Sequence, residues 1–454
     1  MIELSPEHIA KAAGAAVVVR GGDGAPRRAV IDSREVTEGD LFIGLRGERA
    51  DGGEFAAAAL ESGAWGAIVT PERAAALEDG PGGGWVLAAP EPLAALGSLA
   101  REWRRRLGAR VVGVTGSVGK TSVKDICRTL LPGPVHASPE NYNTEIGLPL
   151  TVLSAPRGTA TLVLEMAMRG SGQIAELAAI AEPNVAVITN IGPVHVELLG
   201  SVEAVAAVKA EVLGHLPPDG AAVVPVDAGA LEPHLDLPQR LIRFGEGGDV
   251  RVAESRVEEG VTRALVATPA GEQEFDFPFG EAYNLTNALA AIAAGVALGA
   301  SPAEMADRAP DIGFSRLRGE RLELGDGIVL INDCYNANPV SMRAALDHLA
   351  ALPAPGRRLA VLAEMRELGP DAPRYHREAG AHARERGLDL LIGVGEPARD
   401  YDPDELVADP RDAAELLAAQ LGPGDVVLVK GSRAAGLEAV AETLLELRAD
   451  AEAD

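Results

Sequence analysis

The stretch TGSVGKTS, Thr115 to Ser122, sets out in order the residue types that a polyphosphate requires. Gly116 and Gly119 let the backbone bend so that successive amide N–H groups converge on phosphate oxygens. Lys120 adds a charge able to reach the outer phosphates, and Thr121 adds a hydroxyl suited to Mg2+. The apolar run Val111–Val114 leads into this stretch, and Val123, Ile126, Cys127 and Leu130 follow it at helical spacing. Strand, loop and helix therefore stand in the order of a phosphate-binding loop, with the helix N-terminus adding partial positive charge. Thr115, Gly116, Ser117, Val118, Gly119, Lys120, Thr121 and Ser122 form the predicted nucleotide cradle. The generic pattern has Gly where this chain has Val114. Glu165 is a second candidate. It closes the apolar run Leu162–Leu164, at the strand end where ligands of open α/β sheets collect, and a carboxylate there suits Mg2+.

These residues need a parallel sheet to hold them. Val111–Val114, Leu162–Leu164 and Val185–Ile188 have the near-continuous apolar character of strands covered on both faces. Ile328–Ile331, Leu359–Leu362, Leu390–Val394 and Val426–Val429 predict a second sheet of the same kind. Before the first of these lies a region of short strands and Gly-rich turns, followed by a helix ending in Arg104, Arg105 and Arg106. Residues 240–278 predict short strands as an excursion before a helix at Asn284–Leu298. The reading is an α/β chain of three domains: a smaller N-terminal α/β domain over 1–106, a central P-loop parallel-sheet ATPase domain over 107–316, and a C-terminal Rossmann-like domain over 317–454.

Composition narrows the partners. A formal net charge of -26 disfavours nucleic acid. Cys127 and Cys334 give no disulfide framework and suit a reducing compartment. The N-terminal residues carry no apolar signal core, and no apolar run reaches the length of a membrane span. A cytoplasmic protein with no membrane insertion is expected. Lysine is scarce: only Lys11, Lys120, Lys124, Lys209 and Lys430, against 36 arginines. A chain that uses arginine for ordinary positive charge has a reason to retain an amine at Lys120, Lys209 and Lys430, all in candidate motifs.

Seven further segments, in order, carry a resemblance. They are IDSREVTEGDLFIGLRGERADG (Ile31 to Gly52), NYNTEIGLPLTVL (Asn141 to Leu153), LVLEMAMRGSGQI (Leu162 to Ile174), ITNIGPVHVELLGSVEAVAAVKAEVL (Ile188 to Leu213), YNLTNALAAIA (Tyr283 to Ala293), INDCYNANPVSM (Ile331 to Met342) and LAEMRELG (Leu362 to Gly369). LVKGSR follows at Leu428 to Arg433. Together with TGSVGKTS they resemble the Mur ligase family through nearly the whole chain, and YNANPVSM resembles its MurF type. The chain departs from the usual pattern at Tyr283, Thr144 and Gly53, where the type commonly has His, Asn and His.

The resemblance implies an ATP-dependent acid–D-amino-acid ligase of peptidoglycan precursor synthesis. It would add D-alanyl-D-alanine to a UDP-N-acetylmuramoyl-tripeptide through an acyl phosphate, releasing ADP and phosphate. It implies catalytic roles for Lys120, Glu165, His195 and Lys209, and two Mg2+ ions held by Thr121, Glu165, His195 and a carbamylated Lys209. It further implies nucleoside contacts from Asn287, Arg321, Asp333 and Asn336, and substrate contacts from Ser33, Arg34, Asn141, Asn143 and Thr144. A monomer is expected. Two alternatives stay open: a family relative, Mur or folylpolyglutamate-type, with a different amine, and a P-loop nucleotide-binding switch without ligase activity.

Overall fold

The computed structural model describes residues 4–47, 50–78, 83–194 and 196–453. Their strands form four sheets. The first, near the N-terminus, runs Ala16–Val19, Trp85–Ala88, Gly66–Val69, Leu41–Ile43, Ala29–Val30; only its first pairing is antiparallel. The central sheet is all parallel, in the order Arg240–Phe244, Ala221–Pro225, Val185–Ile188, Arg110–Thr115, Thr161–Glu165, Val135–Ala137.

Alternation explains why both faces of the central sheet are covered. Val111, Leu162, Leu164, Ala186 and Ile188 face one core, while Val112, Val114, Val163, Val185 and Val187 face another. The first core is continuous with the N-terminal sheet through the helix Pro92–Leu107, whose Leu96, Leu99 and Trp103 are buried. That helix stops at Gly108, which takes a left-handed φ of 65° as C-terminal glycines do. The second core holds Val123, Ile126, Cys127 and Leu130 of the helix Lys120–Leu130, packed against the alanine-rich helix Ala282–Ala297. Small side chains let these helices lie close, so Asn287 comes up against Gly119 of the phosphate loop and Asn284 lines the same cleft.

The predicted excursion is an antiparallel meander, Arg251–Glu258, Val261–Thr268, Gly271–Phe277. The last sheet runs Glu320–Glu323, Val329–Asn332, Val426–Lys430, Arg358–Ala363, Leu390–Val394, Glu405–Val407, parallel except for its first strand. Separate apolar cores cover its two faces. Strand ends of the central sheet, at Thr115 and Glu165, and of the last sheet, at Asn332 and Lys430, meet across one cleft. No helix among the described residues is long and apolar enough to cross a membrane.

Candidate active site

The loop is shaped by its own glycines and by the neighbouring strand end. Gly116 has φ 144° and Gly119 φ 83°. A Cβ at Gly116 would collide with Thr189 Oγ1, and one at Gly119 with Asn287 Oδ1. Asn190 Oδ1 accepts from the amides of Ser117, at 3.1 Å, and Val118, at 2.8 Å. These two bonds fix the loop's first half. The amides of the helix's first turn follow, which no helix can satisfy internally.

Below the loop a carboxylate is held by two donors. Thr121 Oγ1 donates to Glu165 Oε2 at 2.7 Å, and Asn143 Nδ2 donates to Glu165 Oε1 at 2.8 Å. The Glu165 backbone N–H donates to Ser138 Oγ at 3.1 Å, which sets the depth of the strand end. Ser138 in turn offers its carbonyl to Lys124 Nζ at 3.0 Å. Lys124 is buried in an ion pair with Asp125, and Asp125 Oδ2 accepts from the N–H and hydroxyl of Ser315 at 2.9 and 2.8 Å. A buried polar chain thus ties Glu165 to the segment entering the last sheet.

Two lysines converge on one oxygen. Lys120 Nζ donates to Gly116 O at 2.9 Å, and Lys209 Nζ donates to the same oxygen at 3.0 Å. Burial lowers the pKa of Lys120, partly opposed by Glu165. Lys209, from the helix Val202–Ala210, lies 2% exposed. Burial first, and the Lys120 charge second, lower its pKa well below that of an ordinary lysine.

The opposite wall comes from the last sheet. Lys430 Nζ donates to Asp333 Oδ2 at 2.6 Å and to Asn336 O at 3.0 Å. The cleft between the walls has a volume of about 330 Å³ and is lined by Lys120, Glu165, Asn287, Asp333 and Asn336 among others. Tyr283 also lines it, and burial together with nearby Asp333 raises its pKa well above an ordinary phenol's. A recess of about 220 Å³ adjoins the cleft, sharing Ser117 and Lys120 and adding Arg366, Glu367 and Arg433. One end of the site can therefore hold a polyphosphate and an oxygen-bound cation, and the recess offers charges of both signs to a second molecule.

The fold brings Ser117, Val118, Gly119, Lys120, Thr121, Ser122, Glu165, Asn287, Asp333 and Asn336 into the cleft lining. Lys209 reaches it through Gly116. Asn143 touches Glu165, whereas Asn141 and Thr144 are exposed nearby, Thr144 Oγ1 accepting from Gly147 N at 3.5 Å. Ser33 and Arg34 lie on the N-terminal sheet's turn, outside the cleft lining. Arg34 bonds Asp32, whose carboxyl it holds down at about 2. Arg321 does not line the cleft; its guanidinium is exposed and donates to Glu323 at 2.9 Å, two residues along the same strand face. Asn338 lines the cleft but its side chain caps the helix Pro339–Ala351 in a reciprocal box with Ser341. His195 lies outside the described residues. Sequence reasoning missed Asn190, Ser138 and Arg318; nothing local marks the first two, and Arg318 is one of three arginines in SRLRGER.

Comparison with known proteins places the chain in a family. The family descriptions "Mur ligase family, catalytic domain", "Mur ligase middle domain" and "Mur ligase, glutamate ligase domain" match residues 29–101, 114–295 and 317–433. The UDP-N-acetylmuramoyl-tripeptide--D-alanyl-D-alanine ligase of Mycobacterium tuberculosis is 38% identical over 508 aligned positions, covering 98% of each chain. A crystal structure of MurF from Acinetobacter baumannii superposes with a TM-score of 0.88 at 26% identity, covering 98% of this chain and 100% of that one. MurF from Thermotoga maritima, solved with ADP, superposes with a TM-score of 0.82 at 31% identity, covering 93% and 98%. With three family descriptions matched in chain order and such identity along nearly its full length, this chain belongs to the Mur ligase family.

Proposed function

We propose that this chain is an ATP-dependent ligase that joins D-alanyl-D-alanine to the free carboxylate of a UDP-N-acetylmuramoyl-tripeptide, acting as a cytoplasmic monomer in peptidoglycan precursor synthesis. The likeness to ligases of that name along nearly the whole chain carries the reading. The divisions at 106/107 and 316/317 form part of it, each falling between family segments.

Amide formation in water is uphill, so the carboxylate must be activated first. A carboxylate oxygen attacks the γ-phosphorus of ATP, the bond to the bridging oxygen breaks, and ADP leaves. The amine nitrogen of the dipeptide then attacks the acyl carbon, phosphate leaves, and the ammonium proton passes to solvent. Both partners of the first step are anionic, so positioning and neutralisation dominate. Lys120 supplies a charge at the outer phosphates. Asn287 and Asp333 hold the nucleoside across the cleft, and Ser33 and Arg34 hold the uridine end on the N-terminal sheet.

Thr121 Oγ1 and Glu165 Oε2 fit Mg2+: both are hard oxygens, 2.7 Å apart and facing the cleft, and Mg2+ takes few protein ligands beside substrate phosphates. Bound there it would neutralise charge developing on the phosphates. A group of three His, Cys, Asp or Glu side chains able to hold a metal is absent among the described residues. For a second ion we assign a further anion, Lys209 as a carbamate. A neutral Lys209 amine can add to CO2, forming a C–N bond and losing a proton, and its low pKa favours that neutral form. His195 and this carbamate would share the second ion.

The test is phosphate release with ATP, Mg2+, UDP-N-acetylmuramoyl-tripeptide and D-alanyl-D-alanine. Release is expected only when both acceptor and dipeptide are present. Release that ignores the dipeptide, or that needs a free amino acid instead, overturns the reading.

A further inference from the structure

We propose that His376 is a positioning residue for the second substrate: its imidazole, acting as a hydrogen-bond acceptor, holds the loop that brings Arg366 and Glu367 to the recess, and protonation of the ring releases that loop. The inference rests on the ligase reading above, which makes the second substrate the dipeptide.

The recess suits a zwitterion. Arg366 and Arg433 line it together with Glu367, and Ser117 and Lys120 join it to the phosphate loop. D-alanyl-D-alanine carries an ammonium and a carboxylate, so charges of both signs have to be set at a fixed separation. Arg366 and Glu367 are exposed and consecutive, between the strand Arg358–Ala363 and the helix Ala372–Glu385. Exposed side chains bind precisely only when the backbone beneath them is held by a supporting layer.

Three bonds supply that layer. The Met365 N–H donates to His376 Nε2 at 2.9 Å. The Arg366 N–H donates to Ser432 Oγ at 3.0 Å, and the Ser432 N–H donates to Glu364 O at 3.0 Å. Glu367 then takes a left-handed φ of 64°, which turns the buried Leu368 back into the core. Only the first of the three bonds ends on a group that titrates.

His376 is 2% exposed, and both of its ring nitrogens meet backbone groups. Ala372 O, 2.6 Å from Nδ1, can only accept, so Nδ1 carries the proton. The Met365 amide can only donate, so Nε2 is bare. A second proton at Nε2 would set donor against donor in a dry site. The Tyr401 ring packs on the imidazole edge-on at 4.7 Å, and its hydroxyl donates to Ala363 O at 2.9 Å, at the root of the same loop. Burial is the larger influence on His376 and lowers its pKa below an ordinary imidazole's; Glu364 at the strand end and Asp400 in the turn before Tyr401 oppose it. Asp400 is engaged with Arg377, Asp371 with Arg374, and Arg343 and Asp347 of the helix Pro339–Ala351 with His382. The acceptor form therefore prevails at neutral pH, and acid removes it.

Three variants decide. His376→Gln keeps an acceptor near the place of Nε2 and cannot titrate. His376→Leu keeps bulk and loses the acceptor. His382→Gln alters a second buried imidazole of the same helix, one bonded to Asp347 and Arg343 instead. At pH 8 the KM for D-alanyl-D-alanine should rise about 10-fold or more in His376→Leu, as for one buried donor left unpaired, while the KM for ATP stays within about 3-fold. Both should stay within about 3-fold in the two Gln variants. In the unaltered chain kcat/KM for the dipeptide should fall with acidity below about pH 6.5, and His376→Gln should lack that limb, since ionisations of the substrates are common to both. Equal losses for dipeptide and ATP in His376→Leu, or the same acid limb in His376→Gln, overturns the proposal. Hydrogen exchange of the uncomplexed chain gives a readout independent of turnover. Corrected for intrinsic rates, protection over residues 362–369 should fall with acidity in the unaltered chain and hold in His376→Gln; protection that follows pH identically in both also overturns it. Should His376→Leu fail to fold, the comparison with His376→Gln decides. If the unaltered chain shows no dipeptide-dependent turnover, the ligase reading fails, and exchange still decides whether His376 holds the loop.

Discussion

Lys209 and Lys430 are buried to the same degree on opposite walls of one cleft, 2% and 1% exposed, yet their surroundings oppose each other. Lys430 meets a carboxylate, Asp333, at 2.6 Å and a second acceptor, Asn336 O, at 3.0 Å. Among the described residues Lys209 has one acceptor, Gly116 O, which it shares with another ammonium. Burying a charge is tolerable when it is paired and costly when it is not. The last sheet pairs its buried lysine with a carboxylate. The central domain has built a site that presses its lysine toward the neutral amine. Equal burial therefore says nothing about a lysine's task; the neighbouring charges do.

The largest effect that would break this contrast lies in turnover at Lys209. Lys209→Ala and Lys209→Arg should both lose about 100-fold or more, the scale of a lost electrostatic group in a site. Arginine keeps the charge and forms no carbamate. Steady-state rates near normal for Lys209→Arg would return the residue to an ordinary buried cation.

Stability gives opposite signs for the two lysines. Lys430→Met leaves Asp333 without its partner. Breaking a buried pair costs about 3–5 kcal/mol, and the partial exposure of Asp333 places this one toward the low end. Lys209→Met instead removes an uncompensated group and should raise the denaturation midpoint in CO2-free buffer. The pH dependence follows from the same shift. Because the folded pKa of Lys209 lies below the unfolded value near 10.5, the unfolded chain binds more protons between the two. Its contribution to stability therefore rises as pH increases toward about 10.5 and is level beyond. Urea melts across that range should show less upward slope in Lys209→Met, and an unchanged slope would remove Lys209 from the account.

The smallest effect concerns the thiols, where burial opposes a negative charge rather than a positive one. Cys127 and Cys334 are pushed up to about 12, each chiefly by burial. At pH 8 both should resist alkylation in the native protein and react in denaturant. Rapid native labelling of Cys127 would mean that the helix Lys120–Leu130 opens more readily than its packing implies.

Much of this was legible in the sequence where chemistry is local. The glycines and Lys120 of the loop and the strand-end Glu165 announce themselves by type and spacing, whereas Lys209 stood out through the family resemblance and the scarcity of lysine. Parallel strands were legible from apolar runs, but their order was not, since a run of valines does not say which neighbour it pairs with. Asn338 lines the cleft, yet an asparagine side chain can face a ligand or cap a helix, and here it caps. The resemblance implied Arg321 and did not name Arg318, whereas of the two only Arg318 lines the cleft, placed by a left-handed Leu317 and by Tyr335 from the neighbouring loop. The chain from Ser138 through Lys124 and Asp125 to Ser315 joins residues up to 191 positions apart, which no local pattern records.

The carbonyl oxygen of Gly116 serves two ammonium groups at once. A terminal phosphate that draws Lys120 toward itself also takes a positive neighbour away from Lys209. Nucleotide binding and the state of Lys209 thereby become linked equilibria. Linkage is reciprocal: with Lys209 carbamylated as proposed, whatever factor the nucleotide contributes to CO2 uptake there, CO2 would return to the affinity for nucleotide. Dissolved carbon dioxide would then act on this enzyme as a second ligand of the nucleotide cleft, and an ATP affinity would have meaning only at a stated bicarbonate concentration.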